Sequence, residues 1–356
     1  MASDLLNALR NRTVLVTGHS GFIGSWLCAL LSHLEVVTIG FSSSEDPVSA
    51  YRATWLEGLG VAAITGDVRD RAAVDATVQA VAPDVIIHLA AQPLLFEGYR
   101  APHRTFDINI NGSMNVLDVA VRSRTPAVVH VTSDKCYSQA AALAGPLKEG
   151  AELGGEGPYP ASKMISEILF REFSMLAGPG RPHMSSVRLG NVIGGGDGAD
   201  RLVPNSLRAF RAGTPFSVRD PLAIRPFQHV LDVAHGLARL AGALLSERVP
   251  SGLPLNFAPP YMGVTVGEIV SALAEAWGPG ACVGDEQAAT ELEEQQVLRL
   301  DGSHAAALLA WQHRLDCAEG AAWAVEWTRE VDQGTAPADA MLAQIARHQL
   351  LSDQLR

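Results

Sequence analysis

Two residues one helical turn apart carry the most specific chemistry in this sequence. Tyr159-Pro160-Ala161-Ser162-Lys163 opens a helical stretch that runs to about Leu176, so the phenol and the ammonium share one helix face. A lysine charge near a phenol favours phenolate and lowers its pKa. Such a tyrosine can take a proton from a hydroxyl while hydride leaves the carbon that bears it. A place for a hydride acceptor stands near the start of the chain. Thr13 to Thr17 is a short apolar, β-branched run, followed by Gly18, Gly21 and Gly24 and a helix from about Ser25 to Ser32. A strand that turns on glycines into a helix makes an anion site, suited to the pyrophosphate of a dinucleotide. Gly18 allows the tight turn, Gly21 lets the backbone approach the phosphates, and Gly24 lets helix and strand pack closely. The spacing is G-x-x-G-x-x-G, and its place directly after the first strand gives it meaning.

The elements that must position these residues alternate between strand and helix. Strands are predicted from Glu35 to Phe41, Val61 to Thr65, Asp84 to Leu89, Ala127 to Val131 and Ser185 to Leu189, with helices from Arg71 to Val81 and from Thr105 to Ser123. This pattern predicts an α/β fold, a Rossmann-type doubly wound parallel sheet, over residues 1–189. The carboxyl ends of its strands line the ligand crevice, and Thr132-Ser133-Asp134-Lys135 falls at such an end. Ala90-Ala91, after the fourth strand, are small enough for a cofactor to lie close. Asp67, just past the third strand, either accepts a hydrogen bond from an adenine amino group or caps the next helix. His88 stands among apolar neighbours and reads as a satisfied core histidine. Asn109 lies inside a helical pattern, where burial requires hydrogen bonds; it is expected to hold two strand ends together. The second strand ends in Ser42-Ser43-Ser44, with Glu45 and Asp46 only later and no arginine at the tip. That leans towards NAD and leaves NADP open.

Beyond Gly190 the alternation stops. Residues 190–229 and 249–356 are expected to form a smaller C-terminal substrate lobe, with 230–248 returning to the first domain. Arg201, Arg219 and Arg225 fall in the lobe, and a guanidinium fork can bond two oxygens of a diphosphate. Thr335 to Arg356 reads as a helical tail.

Composition narrows the partners. The chain has 356 residues, more than one hydrophobic core usually serves, and a net charge of -11. The charge argues against a general nucleic-acid or anionic-membrane surface, so a phosphate site must be local. Cys28, Cys136, Cys282 and Cys317 are far apart and suggest neither a disulfide framework nor a metal site. Met1 to Arg12 is polar, and no apolar run approaches the roughly 18 residues that span a bilayer. A cytoplasmic enzyme is the expectation.

Together these motifs resemble the extended short-chain dehydrogenases/reductases that act on nucleotide sugars. Gly18-His19-Ser20-Gly21-Phe22, His88-Leu89-Ala90-Ala91-Gln92-Pro93-Leu94, Thr132-Ser133-Asp134-Lys135-Cys136-Tyr137, Gly190-Asn191-Val192-Ile193-Gly194-Gly195-Gly196-Asp197, Arg201-Leu202-Val203-Pro204 and Arg225-Pro226-Phe227-Gln228-His229-Val230 resemble its CDP-glucose 4,6-dehydratase branch. The resemblance implies NAD held by Gly18, His19, Gly21, Phe22, Ile23, Gly24, Asp67, Val68, Leu89, Ala90, Ala91, Asn109, Thr132, Tyr159 and Lys163. It implies catalysis by Tyr159, Lys163, Thr132, Asp134 and Lys135, with Thr132 bonding the sugar 4-oxygen and Asp134 the general acid. It implies a nucleotide sugar bound by Gln92, Ser133, Asn191, Arg201, Leu202, Arg225 and His229, and a homodimer formed by the helices from Thr105 and Ser162. The implied reaction is oxidation at carbon 4, loss of water across carbons 5 and 6, and hydride return to carbon 6. A nucleotide-sugar epimerase or reductase would keep Tyr159 and Lys163 but have no use for an acid at Asp134. A cofactor-bound sensor is a third reading. The chain departs from the branch at Ile23, at Phe96-Glu97-Gly98-Tyr99, at Glu156-Gly157, at Gly198-Ala199-Asp200 and in the loop from Ser138 to Lys148. Three of these departures fall where a sugar or base is expected to rest.

Overall fold

The computed structural model describes residues 2–178, 182–261, 263–284 and 295–354. Its centre is a sheet of seven parallel strands: β1 (Thr13–Thr17), β2 (Val37–Ser42), β3 (Ala62–Thr65), β4 (Val85–His88), β5 (Ala127–Ser133), β6 (His183–Leu189) and β7 (Leu253–Phe257). The spatial order is β3-β2-β1-β4-β5-β6-β7. β1 pairs with β2 through Thr13 and Val37 and with β4 through Val14 and Val85. The sheet order reverses at β1 and β4, which places a crevice at their carboxyl ends.

Both faces of the sheet are covered, as its apolar strands require. Alternation sends Val14 and Val16 to one face and Leu15 to the other. The first face packs on α1 (Phe22–His33), through Trp26, Leu27 and Leu30. Between β2 and β3 lies α2 (Pro47–Glu57), and between β3 and β4 lies α3 (Arg71–Val81). On the second face, α4 (Ser113–Arg122) and α5 (Pro158–Leu176) cover Leu15, Ile86 and Val128 with Val116, Leu117 and Phe170. The predicted helix from Thr105 to Ser123 is three pieces. A short helix Pro102–Phe106 leads into a π-helical turn, Asp107–Gly112, and then α4. π-turns of this kind gather at functional sites, and this one carries Asn109.

From residue 230 the chain packs along the first face of the sheet. α6 (Val230–Leu245) is buried along almost its whole length against the first face. The expected lobe boundary needs correction beyond it. Residues 253–257 form β7 and pair with β6 from Leu253 to Phe257. Leu255 and Phe257 enter the first core while Asn256 faces the other way, so the segment satisfies the sheet on both sides. The tail helix α8 (Pro337–Gln354) also buries Ala340, Met341 and Ile345 in that core. A separate apolar cluster joins helix Leu202–Ala212, helix Val266–Trp277 and α7 (Cys317–Asp332) through Phe210, Leu273 and Val325. This cluster stands beside the carboxyl edge of the sheet.

Candidate active site

The glycine turn is closed by sterics. Gly18 has φ +74, and a Cβ there would stand 2.6 Å from the Ala90 nitrogen. A Cβ on Gly24 would meet the Gly18 carbonyl at 2.1 Å, so Gly24 packs on the turn itself. The Gly21 N–H donates to Gly18 O at 3.0 Å, and no side chain caps α1 behind it. The first N–H groups of α1 are therefore free for an anion. Phe22 is buried and Ile23 packs on the main core, which leaves backbone as their contribution to such a site. His19 lies against Gly40, accepts or donates with Ser42 Oγ through Nδ1 at 2.9 Å, and has a buried Nε2 without a partner among the described residues.

Asp67 does not cap α3. Asp70 does, accepting from the Ala72 and Ala73 N–H groups. Asp67 instead accepts from Arg69, from its N–H at 2.8 Å and its Nε at 2.9 Å, and this guanidinium holds its carboxyl below the usual range. Val68 is buried behind it. Leu89, Ala90 and Ala91 are half-buried on the other side of the turn. His88 is a satisfied core histidine. Its Nδ1 meets Thr17 Oγ1 at 2.6 Å, its Nε2 meets Ser113 Oγ at 3.1 Å, and burial lowers it to about 3.

Asn109 links a loop and a helix rather than two strand ends. Its Oδ1 accepts from Gln92 N–H at 2.8 Å, and its Nδ2 donates to Gln92 O at 3.1 Å and Ser162 Oγ at 2.9 Å. The loop after β4 is thereby fixed to the helix that carries Tyr159 and Lys163. Gln92 itself is not placed to read a ligand. Its side chain is spent on Thr105 Oγ1, Leu94 O and the Leu94 N–H.

At the end of β5, alternation separates two neighbouring hydroxyls. Thr132 Oγ1 donates to the Glu167 carboxylate at 2.5 Å and is 4% exposed. It faces α5, not the crevice, which corrects its expected contact with the sugar oxygen. Ser133 faces the crevice instead. It lies near enough to the Tyr159 phenol to oppose the rise in that group's pKa, and its Oγ donates to Asp134 Oδ1 at 3.0 Å. Tyr159 departs from the sequence expectation of a lowered phenol. Burial pushes it up, and the neighbouring Ser133 hydroxyl and the Arg201 charge only partly oppose that. Lys163 Nζ donates to Val131 O at 3.4 Å, and burial brings its pKa down to about 8. Asp134 is 3% exposed with an unpartnered Oδ2. Burial raises its pKa; the charges of Lys135 and Arg225 oppose this without cancelling it.

The remaining expected substrate residues divide. Arg201 reaches Asp197 Oδ2 at 3.3 Å, and both Arg201 and Arg225 stand close enough to act electrically on the Tyr159–Asp134 pair. Arg219 lies over the Phe96 ring at 4.6 Å. Asn191 and Leu202 are half-buried at the same edge. His229 does not belong with them. It caps α6 through Nδ1, packs edge-on against Trp26 and Trp323, and is driven to about 3 by burial. Two of the sequence departures meet here, since a Cβ on Gly157 would come within 2.4 Å of the Tyr99 hydroxyl.

The model of the NAD dependent epimerase/dehydratase family matches residues 14–249. The chain is 34% identical to CDP-glucose 4,6-dehydratase of Salmonella typhimurium, over 90% of this chain and 91% of that one. The chain belongs to the NAD dependent epimerase/dehydratase family. It is also 25% identical to UDP-glucose 4-epimerase of Rhizobium meliloti, over 92% of this chain and 100% of the other. A solved UDP-glucose-4-epimerase from Stenotrophomonas maltophila, with bound NAD and formylated UDP-arabinopyranose, superposes with a TM-score of 0.80. It is 24% identical and covers 91% of this chain and 100% of its own.

As a member of this family the protein is an NAD-dependent enzyme, and its residues fit that cofactor. The glycine turn leaves no room for side chains, α1 presents uncapped N–H groups, and the orphaned His19 Nε2 lies beside the turn. Sequence reasoning missed two buried charges that frame the family site. Arg52 of α2 donates to Gly196 O at 3.0 Å and to Ser20 O at 3.2 Å, joining the glycine turn to the loop ahead of Arg201. No local pattern marked it. Glu167 was legible in principle, since Tyr159, Lys163 and Glu167 fall at i, i+4 and i+8 of one helix.

Proposed function

We propose that the enzyme is a nucleotide-sugar 4,6-dehydratase acting on a CDP-hexose, with CDP-glucose favoured. The observation that carries this reading is Asp134: a buried carboxyl with one free oxygen, held towards its protonated form, next to Ser133 and Tyr159. An epimerase needs the tyrosine and lysine but has no step for a proton donor at that place. The 34% identity to a CDP-glucose 4,6-dehydratase supports the same choice.

In this reading Tyr159, beside Ser133 and one helical turn before Lys163, takes the proton of the 4-hydroxyl. Bound NAD would supply the acceptor for the carbon 4 hydride and the source of hydride for carbon 6. The 4-ketone acidifies the hydrogen on carbon 5; a base takes that proton while Asp134 protonates the departing 6-hydroxyl, water leaves, and carbon 5 regains a proton as hydride reaches carbon 6. Lys135 adjoins Asp134 and tunes it electrically. Arg201 and Arg225 hold the diphosphate from the lobe side. Asp67 takes the adenine amino group, the alternative left once Asp70 is the helix cap. Exposed Met114 on α4 and Ile168, Met175 and Leu176 on α5 support a homodimer through those two helices. No helix among the described residues is long and apolar enough to cross a membrane.

The test is incubation with CDP-glucose and NAD, followed by mass spectrometry of the sugar nucleotide. Loss of one water without net NADH is the expected outcome. An isomer of unchanged mass would overturn the dehydratase reading in favour of an epimerase.

A further inference from the structure

Glu167 is 3% exposed, and a carboxylate so deeply placed is costly unless it is fully paired. Its two oxygens face different strands. Oε2 accepts from Arg188 Nε at 2.9 Å, from Arg188 Nη2 at 2.7 Å and from Ser186 Oγ at 3.1 Å, all on β6. Oε1 accepts from Thr132 on β5. Arg188 continues the chain, donating to the Tyr137 hydroxyl at 2.7 Å, and Tyr137 donates to Asn256 Oδ1 on β7 at 2.7 Å. An apolar contact would anchor a helix to a sheet at less cost than this network. What an apolar contact cannot do is fix a hydroxyl's direction or stand opposite an ammonium.

Both tasks exist at this place. Thr132 immediately precedes Ser133, the hydroxyl beside Tyr159. Holding Thr132 against α5 commits the strand end to the register in which Ser133 faces the crevice. Lys163 lies one helical turn before Glu167 on the same face. Lys163 is faced by Glu167 on its own helix, His88 on β4, His130 on β5 and Cys136 just after β5. Burial keeps the two imidazoles neutral and pushes the Cys136 thiol up. Glu167 is thus the charge that supports the ammonium where burial weakens it.

We propose that Glu167 is a positioning residue for the redox pair: through Thr132 it turns Ser133 to Tyr159, and it serves as counter-charge to Lys163. This rests on the tyrosine–lysine reading of the active site.

The experiment uses the NAD-loaded enzyme with CDP-glucose. Glu167→Gln keeps the shape and the Thr132 contact but loses the charge. The alkaline limb of its kcat–pH profile moves down by about one pH unit, because the Lys163 ammonium is lost at lower pH. Thr132→Val lowers kcat about tenfold or more with KM little changed, as misplacement of a reacting group does, and Thr132→Ser restores it. Should unpaired Arg188 prevent Glu167→Gln from folding, Glu167→Gln with Arg188→Gln takes its place in the pH profile. A wild-type alkaline limb in the folded glutamine variant, together with unchanged kcat in Thr132→Val, overturns the proposal. Tyr159→Phe separates the two levels. If it is inactive while those variants match wild type, only the role of Glu167 falls; if it turns over normally, the underlying reading falls with it.

Discussion

Asn109 Nδ2 donates to Ser162 Oγ at 2.9 Å while both polar atoms of the same carboxamide hold the Gln92 backbone. One buried side chain in a π-helical turn therefore fixes the loop after β4 to the helix of Tyr159 and Lys163. Asn109→Ala leaves the Gln92 N–H and C=O unpaired in the interior. A loss of about 1–3 kcal/mol is expected, read by denaturant unfolding, together with weaker NAD binding. Unchanged stability would show that the loop is held elsewhere.

Ser133, not Thr132, is the hydroxyl at the phenol. Ser133→Ala is expected to reduce turnover by about a hundredfold while NAD still binds, measured by turnover and by cofactor titration. Ser133→Thr restores part of the rate. A Ser133→Ala enzyme with wild-type kcat would contradict the arrangement.

Asp134→Asn is expected to stop water loss yet leave reduction of bound NAD detectable at the absorbance of NADH. The same substitution has a stability consequence with a definite sign. The folded pKa of Asp134 is raised above its unfolded value, so the folded state binds more protons and loses stability as pH rises above the unfolded carboxylate range. The substituted carboxamide does not titrate and carries no such burden. The variant is therefore expected to melt higher than wild type at neutral pH, with the gain shrinking in acid, as thermal unfolding across pH will show. A gain that grows in acid would reverse the assignment.

His229 is a core residue between Trp26 and Trp323. His229→Ala creates a cavity and removes the cap of α6, so a loss of about 2–4 kcal/mol is expected. The KM for the nucleotide sugar should stay within about twofold of wild type. A specific rise in KM at unchanged stability would return His229 to the substrate site.

Features that depend on neighbours along the chain can be read without the fold. Strand–helix alternation follows from periodicity, so the doubly wound sheet and its first six strands were legible. The glycine turn is a matter of local sterics, and Tyr159 and Lys163 share a face because a helix repeats every 3.6 residues. Asp134 fell at a strand end by the same counting. Packing sets which way side chains turn at those ends and what buries them. Thr132 and Ser133 are adjacent hydroxyls, and only the packing of α5 tells which one faces the crevice. Asp67 and Asp70 are both reasonable caps until the helix start is placed. Gln92 and His229 carry polar atoms that could meet a ligand, but the folded chain spends the Gln92 carboxamide on Thr105 and Leu94 and the His229 Nδ1 on the start of α6, and packs the His229 ring between two tryptophans. Glu167 and Arg188 lie 21 residues apart, and β7 joins the sheet beside a strand more than sixty residues earlier. Such partners are brought together by long-range burial, which requires charges to find one another and strand edges to be paired, and no short window of sequence encodes that choice.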